Sequence, residues 1–344
     1  MEVHVRAFIR AIEYHLPSTR LDNIELAREF GDWSAEKIFE KTGIRERRIA
    51  QPKECASDLG YQAAMNLFER AGVAPADIDF LLFCTQSPDF FLPTTACLLQ
   101  ERLKIPSSAG ALDFNLGCSG FVYGLGLAKG LIESGQVRNV LLITAETYSK
   151  FIHRHDRSVR TLFGDGAAAT LIEGKDGIQE EFLGPFIYGT DGNGGKNLIV
   201  PKGGFRNRDD ASVELPTQVK KDEQDRNLDN LYMNGSEIFS FTLRAVPLAV
   251  TQLLKKASVK FEDIDLFVFH QANSFLLEHL RKKMGITSEK FMVFLENVGN
   301  TVSSTIPIAL FEANLQKRIR PGSLVVLVGF GVGYSWGASL IKWQ

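Results

Sequence analysis

Asp113-Phe-Asn-Leu-Gly-Cys118-Ser-Gly-Phe-Val-Tyr-Gly124 is the stretch from which the rest of the chain can be read. Upstream, residues 109–114 form the small, apolar run of a buried strand. Downstream, residues 119–134 set Val122, Leu125, Leu127, Leu131 and Ile132 at helical spacing. The chain therefore turns from strand to helix at Gly117-Cys118-Ser119-Gly120, among neighbours small enough to let a reactant reach the sulfur. A thiol at a helix N-terminus faces unpaired N–H groups and the positive dipole end, which favour the thiolate. A buried Cys is otherwise a small hydrophobe, so the second half of the chain must decide between the two.

That second half repeats the first. Ala71-x-Val73-x3-Asp77-Ile-Asp-Phe-Leu-Leu-Phe83 answers Ala257-x-Val259-x3-Asp263-Ile-Asp-Leu-Phe-Val-Phe269. Leu116-Gly-Cys118-Ser answers Val298-Gly-Asn300-Thr, and Phe163-Gly-Asp-Gly-Ala-Ala-Ala-Thr-Leu-Ile172 loosely answers Gly333-Tyr-Ser-Trp-Gly-Ala-Ser-Leu-Ile341. Three matches in one order indicate a duplicated unit, divided here into 1–174 and 175–344. Each half alternates strands with helices, so α/β layers with mixed sheets are expected. Packing about a pseudo-twofold axis would let Cys118 face Asn300, with His270 at the end of the strand 266–269. Crevices at strand ends are where α/β folds build their sites.

Bulk properties narrow the function classes. The 344 residues are 44% hydrophobic and carry a formal net charge of −2, which gives no electrostatic reason to expect nucleic acid or an anionic membrane. No apolar run reaches the roughly 18 residues that span a bilayer, and charges interrupt any signal-peptide core at the N-terminus. Cys55, Cys84, Cys97 and Cys118 form no C-x-x-C pair, which fits reduced thiols in the cytosol. No His or Cys cluster has metal-ligand spacing, so no metal is expected.

Helices are expected at 23–30, 35–42 (ending at Gly43 as C′ glycine), 56–71 and 94–103, and strands at 78–84, 140–144 and 167–173. Thr42-Gly-Ile-Arg-Glu-Arg-Arg48 reads as a basic turn. The charged segment 203–227 reads as a mobile surface excursion. Gly329-Phe-Gly-Val-Gly-Tyr-Ser-Trp-Gly337 does not open a helix and so is no dinucleotide fingerprint, but its backbone N–H groups can approach a substrate oxygen.

Cys118, His270 and Asn300 are the candidate constellation. A thiolate can take an acyl group from a thioester. An imidazole and an amide can both donate to a thioester oxygen, which stabilises the enolate formed when a neighbouring carboxylate leaves. A papain-like Cys-His-Asn reading fails on the surroundings of the Cys and on the duplicated layout.

The chain resembles the β-ketoacyl-acyl-carrier-protein synthase III family of the thiolase superfamily, nearly end to end. The likeness rests on Thr42-Gly-Ile-Arg-Glu-Arg, Gly117-Cys-Ser-Gly, Phe163-Gly-Asp-Gly-Ala, His270-Gln-Ala-Asn, Gly299-Asn-Thr and Trp336-Gly-Ala. It implies a thiolase-like fold in five αβαβα layers, a homodimer, and a triad of Cys118, His270 and Asn300. It implies an oxyanion hole from the backbone of Cys118 and Val332, substrate or coenzyme A contacts at Lys41, Arg157, Gly235 and Asn273, and carrier docking at Lys282 and Lys283. Phe90, Phe91 and Leu92, in the loop 87–93, would reach the partner's acyl pocket. Three positions depart from the family pattern: Lys37 stands where the adenine-stacking tryptophan is expected, Phe275 for an arginine and Val332 for a glycine.

The expected reaction is acylation of Cys118 by acyl-coenzyme A or an acyl carrier protein, then decarboxylative condensation with malonyl-carrier, without any resident cofactor. The altered entrance leaves open a transfer of the acyl group to an amine, hydroxyl or sugar-linked acceptor, and a non-catalytic thioester-binding scaffold is a remoter alternative.

Overall fold

The computed structural model describes residues 5–207 and 228–344, so most of the charged segment expected to be mobile lies outside the described residues. Two mixed sheets carry the fold. The first runs Val5–His15, Gly166–Asp176, Asn139–Glu146, Phe80–Cys84, Gly110–Phe114. Its last three strands are mutually parallel and its first two join antiparallel. The second sheet runs Leu183–Thr190, Ser335–Lys342, Leu324–Gly331, Leu266–Phe269 with the same sequence of orientations. Its fifth strand is reduced to a single parallel bridge, Phe267 to Phe291.

The duplication therefore reaches strand order. Helices Gly120–Glu133 and Thr305–Leu315 lie between the sheets, where Phe121, Val122, Leu125, Ile306, Ala309 and Leu310 share one core with Leu82, Val140, Val268 and Val325. Both central helices are apolar nearly all round, as burial between two sheets requires. Ala56–Ala71 and Thr95–Arg102 cover the outer face of the first sheet, and Gly235–Ala257 with Ser274–Lys283 cover the second. The result is five layers, αβαβα.

The 23-residue helix Gly235–Ala257 is long and apolar enough to cross a bilayer by length and composition, although Glu237 and Arg244 interrupt its apolar run. Here Phe241, Val246, Ala249, Val250 and Leu253 bury its apolar face against the second sheet.

Gly43 ends the helix Ala35–Thr42 in the left-handed conformation (φ 71°), as expected. The basic turn after it is instead the strand Glu46–Ile49, in which Arg47 is fully buried. Its guanidinium donates to the Leu21 carbonyl at 3.1 Å, Asn23 Oδ1 at 2.9 Å and the Thr161 carbonyl at 2.7 Å. A buried charge needs such partners, and these come from segments that spacing in the sequence does not connect.

Candidate active site

The strand Gly110–Phe114 ends at the turn that carries Cys118, and the helix starts two residues later at Gly120. Glycine clears the approach. A Cβ at Gly329 would stand 2.7 Å from the Cys118 carbonyl oxygen, and one at Gly331 would stand 2.8 Å from the Cys118 sulfur. The backbone N–H groups of Cys118 itself and of Val332 point at the sulfur and favour its charged form. Burial, with the nearby Glu146 carboxyl, outweighs them and pushes the thiol up to about 12. Burial and Glu146 thus oppose the helix terminus and the two N–H groups, which favour the thiolate. The two converging N–H groups serve equally well for an oxygen that becomes charged only during reaction.

Asn300 sits where the two halves meet. Its N–H donates to the Leu162 carbonyl at 2.9 Å and its carbonyl accepts from Gly164 N–H at 3.0 Å. Asn300 Oδ1 accepts from Val302 N–H at 2.9 Å. That bond fixes the amide's orientation and leaves Nδ2 as a donor. His270 follows the strand Leu266–Phe269, its N–H donating to the Val328 carbonyl at 2.8 Å. Its ring packs edge-on to Phe330, and Nδ1 lies 2.7 Å from Thr305 Oγ1. Burial lowers its pKa to about 3, so the ring is neutral at physiological pH. Cys118, His270 and Asn300 line one cavity of ≈ 90 Å³, with Gly235, Asn273, Phe239 and Leu276 on its walls.

Asn273 caps the helix Ser274–Lys283 by accepting from Leu276 N–H at 2.8 Å, so its Oδ1 is used structurally while its amide nitrogen stays available. Lys282 and Lys283 are exposed in the last turn of that helix, Lys282 paired with Glu278 at 3.2 Å. Phe275 is exposed in the first turn and stacks on Phe239 at the cavity wall. Phe90, Phe91 and Leu92 are 59%, 75% and 79% exposed. Phe90 and Phe91 line a larger cavity of ≈ 810 Å³ that Val332, Tyr148, Phe151 and Leu198 also line.

Three features escaped the sequence reading. First, Trp33 stands among the basic side chains near Lys37. The ammonium groups of Lys37 and Lys41 and the Arg157 guanidinium lie 5.2, 5.5 and 6.0 Å from its ring centre. Arg157 also pairs with Asp32 at 2.6 Å. Second, Glu146 is fully buried and accepts from Gln86 N–H and the Ser87 and Ser303 hydroxyls at 3.0 Å each, so it ties Ser303 to the loop after Cys84 and acts electrostatically on the Cys118 thiol. Third, Thr305 backs His270. Spacing gave no signal for any of them. Among the described residues no cluster of three or more His, Cys, Asp or Glu could hold a metal, and all four cysteines are free thiols.

Comparison with known proteins bears on this geometry. The family profile described as 3-oxoacyl-(acyl-carrier-protein) synthase III matches residues 112–192, and that of its C-terminal part matches residues 254–343. The β-ketoacyl-(acyl-carrier-protein) synthase III of Caldanaerobacter subterraneus subsp. tengcongensis is 39% identical over 330 residues, 96% of each chain. A solved 3-oxoacyl-(acyl-carrier-protein) synthase III superposes with a TM-score of 0.94 at 52% identity, covering 98% of this chain and 100% of the other. The 3-oxoacyl-(acyl-carrier-protein) synthase of Burkholderia xenovorans superposes with a TM-score of 0.91 at 35% identity, covering 99% and 95%.

Proposed function

The chain belongs to the 3-oxoacyl-(acyl-carrier-protein) synthase III family and is a condensing acyltransferase of that class, and from that premise we propose how its residues divide the reaction. Cys118 attacks the carbonyl carbon of an acyl thioester, and the oxyanion is held by the N–H groups of Cys118 and Val332. The thiol leaves and the acyl group stays on the sulfur. A malonyl thioester then enters, and Asn300 Nδ2 donates to its carbonyl oxygen as CO2 departs. The resulting enolate carbon attacks the acyl carbonyl, the bond to Cys118 breaks, and a 3-oxoacyl thioester is released. His270 stands beside both steps as the group that can handle a proton.

One observation carries this reading: a thiol, an imidazole and an oriented amide from three distant segments line one cavity, with two backbone N–H groups at the sulfur.

The substrates are coenzyme A or carrier-protein thioesters, so no resident cofactor is required. Lys41 and Arg157, gathered with Lys37 about Trp33, suit the nucleotide phosphates of coenzyme A. Gly235 and Asn273 line the route for the pantetheine arm, and the exposed Lys282 and Lys283 suit an acidic carrier. A homodimer would cover Phe90, Phe91 and Leu92, which are too exposed and apolar for a free surface. We place the enzyme in the cytoplasm and read 1–174 and 175–344 as its two duplicated halves.

Intact-protein mass after incubation with a panel of acyl-coenzyme A and acyl-carrier thioesters tests the nucleophile. A gain that Cys118→Ala abolishes is expected. CO2 release from malonyl thioester tests the second step, and normal release by Asn300→Ala would overturn that role.

A further inference from the structure

Glu146 ends the central strand Asn139–Glu146 of the first sheet and makes hydrogen bonds in two directions. On one side its carboxyl accepts from Gln86 N–H at 3.0 and 3.2 Å and from the Ser87 hydroxyl at 3.0 Å, at the root of the loop that carries Phe90 and Phe91. The Gln86 side chain continues outward: Oε1 accepts from the Tyr148 hydroxyl at 2.5 Å, and Nε2 donates to Asn115 Oδ1 at 3.0 Å. Gln86, Tyr148 and Asn115 line the ≈ 810 Å³ cavity together with Val332. Because the Val332 N–H reaches the Cys118 sulfur, a chain carried on that sulfur runs past Val332 into this cavity and against Tyr148 and Gln86.

On the other side, Glu146 Oε1 accepts from the Ser303 hydroxyl at 3.0 Å. Ser303 belongs to the single turn Val302–Ser304, whose first N–H donates to Asn300 Oδ1. That turn is strained. Val302 is β-branched and is held at φ 54°, in the left-handed region, a conformation that persists only where neighbours enforce it. The Ser304 hydroxyl donates to the Thr144 carbonyl at 2.9 Å and the Thr305 hydroxyl to the Val302 carbonyl at 3.0 Å, so both hold the turn away from the cavity wall. Of the three hydroxyls, it is that of Ser303 that connects to the wall, through Glu146.

We propose that Glu146 is a positioning residue that couples the two half-reactions. An acyl chain packed on Tyr148 and Gln86 fixes the root of the loop, the Glu146 carboxyl passes that restraint to Ser303, and the strained turn then aims Asn300 Nδ2 at the malonyl carbonyl. This rests on the reading of Cys118 as the acylated nucleophile and of Asn300 as the donor to malonyl thioester.

The coupling has a chemical use. CO2 loss before an acyl group is in place gives an enolate with nothing to attack, which is then lost by protonation. A turn that completes its aim only when the acyl cavity is filled delays that loss. Burial raises the Glu146 carboxyl to about 8, so below that pH the link consists of hydrogen bonds made by a neutral group, and a side-chain amide of the same shape can replace it.

The test measures CO2 release from malonyl thioester by the full chain, free and after acylation of Cys118 with octanoyl-coenzyme A, and reads the ratio of the two rates. Wild type is expected to release CO2 about five- to 150-fold faster when acylated, the usual span of coupling between sites, and Glu146→Ala and Ser303→Ala to bring the ratio below about twofold. Glu146→Gln is expected to keep most of the wild-type ratio. A wild-type ratio near one would overturn the proposal. So would variants that slow both states equally and keep the ratio, since that is what a merely structural carboxyl would do. If Glu146→Ala does not fold, Ser303→Ala decides, because it removes a single hydroxyl. Acylation of wild type by acetyl- but not octanoyl-coenzyme A would overturn the coupling and leave the reading of Cys118 standing. Acylation by no thioester of the panel would overturn both.

Discussion

Val302 N–H donates to Asn300 Oδ1 at 2.9 Å, and this one bond decides which end of the Asn300 amide can serve a substrate. Asn300→Asp keeps an acceptor for Val302 but replaces the Nδ2 donor by a second acceptor. Removing one preorganised donor at a developing oxyanion costs about a hundred- to a thousandfold. Condensation and CO2 release from malonyl thioester are expected to fall by that order, while Cys118 still becomes acylated. Measuring the half-reactions separately checks this, and equal loss in both would assign Asn300 to the scaffold.

Gly331 is required for space, not for backbone conformation. A Cβ there would meet both the sulfur and the Cβ of Cys118 at 2.8 Å, in a pair of strands that cannot retreat without breaking their ladder. Gly331→Ala is expected to slow acylation at least about a hundredfold, since misplacement of reacting groups by about an ångström costs that much. Gly130 is the control. It lies in the helix Gly120–Glu133 with nothing within 4 Å of a would-be Cβ, so Gly130→Ala should leave acylation intact and stabilise by about 0.4–1 kcal/mol. Adduct formation by mass and thermal melting of both variants give the comparison.

What could be read from the sequence was local or periodic. The turn at Cys118 was visible because the apolar pattern changes its period at a glycine pair, and the repeat revealed two similar halves and hence stacked sheets. Contacts between distant segments left no such trace. Trp33 lies one turn away from the position where an aromatic was expected, and only the fold brings Arg157 to it. Glu146 and Ser303 meet across 157 residues, and His270 and Thr305 across the sheet–helix boundary. Arg47 reads as part of an exposed basic run because the carbonyls that solvate it belong to Leu21 and Thr161.

Arg47 ties the turn before the first long helix to the segment that holds Asn300. Its Cβ is 2.9 Å from where a Gly299 Cβ would stand, and its fork reaches three acceptors. Hydrogen bonds to charged groups contribute about 1.5–3 kcal/mol each, and a lysine cannot match the planar fork. Arg47→Lys is expected to destabilise by about 3 kcal/mol or more, read as a lower denaturant midpoint at unchanged slope. A shift below about 1 kcal/mol would mean that water replaces the lost donors.

Glu146 gives the protein a pH-dependent stability of definite sign. Burial raises its carboxyl to about 8, although Gln86 N–H and the hydroxyls of Thr85, Ser87 and Ser303 favour the charged form. In the unfolded chain the same group titrates near 4.5. Below that pH both states hold the proton, and the contribution to stability is complete. As pH rises, the unfolded chain releases its proton while the folded one keeps it, so stability is lost through the window and levels off above about 8. The slope is about 1.4 kcal/mol per pH unit at most. Glu146→Gln removes the titration but keeps an acceptor oxygen for Gln86 and a donor for the hydroxyls. The difference in unfolding free energy, wild type minus Glu146→Gln, is therefore expected to fall between about pH 5 and 8 and to stay flat outside that range. Other titrating groups, His270 among them, cancel in the difference. Denaturant unfolding of both proteins across that range measures it, and parallel curves would mean that Glu146 is ionised in the folded protein.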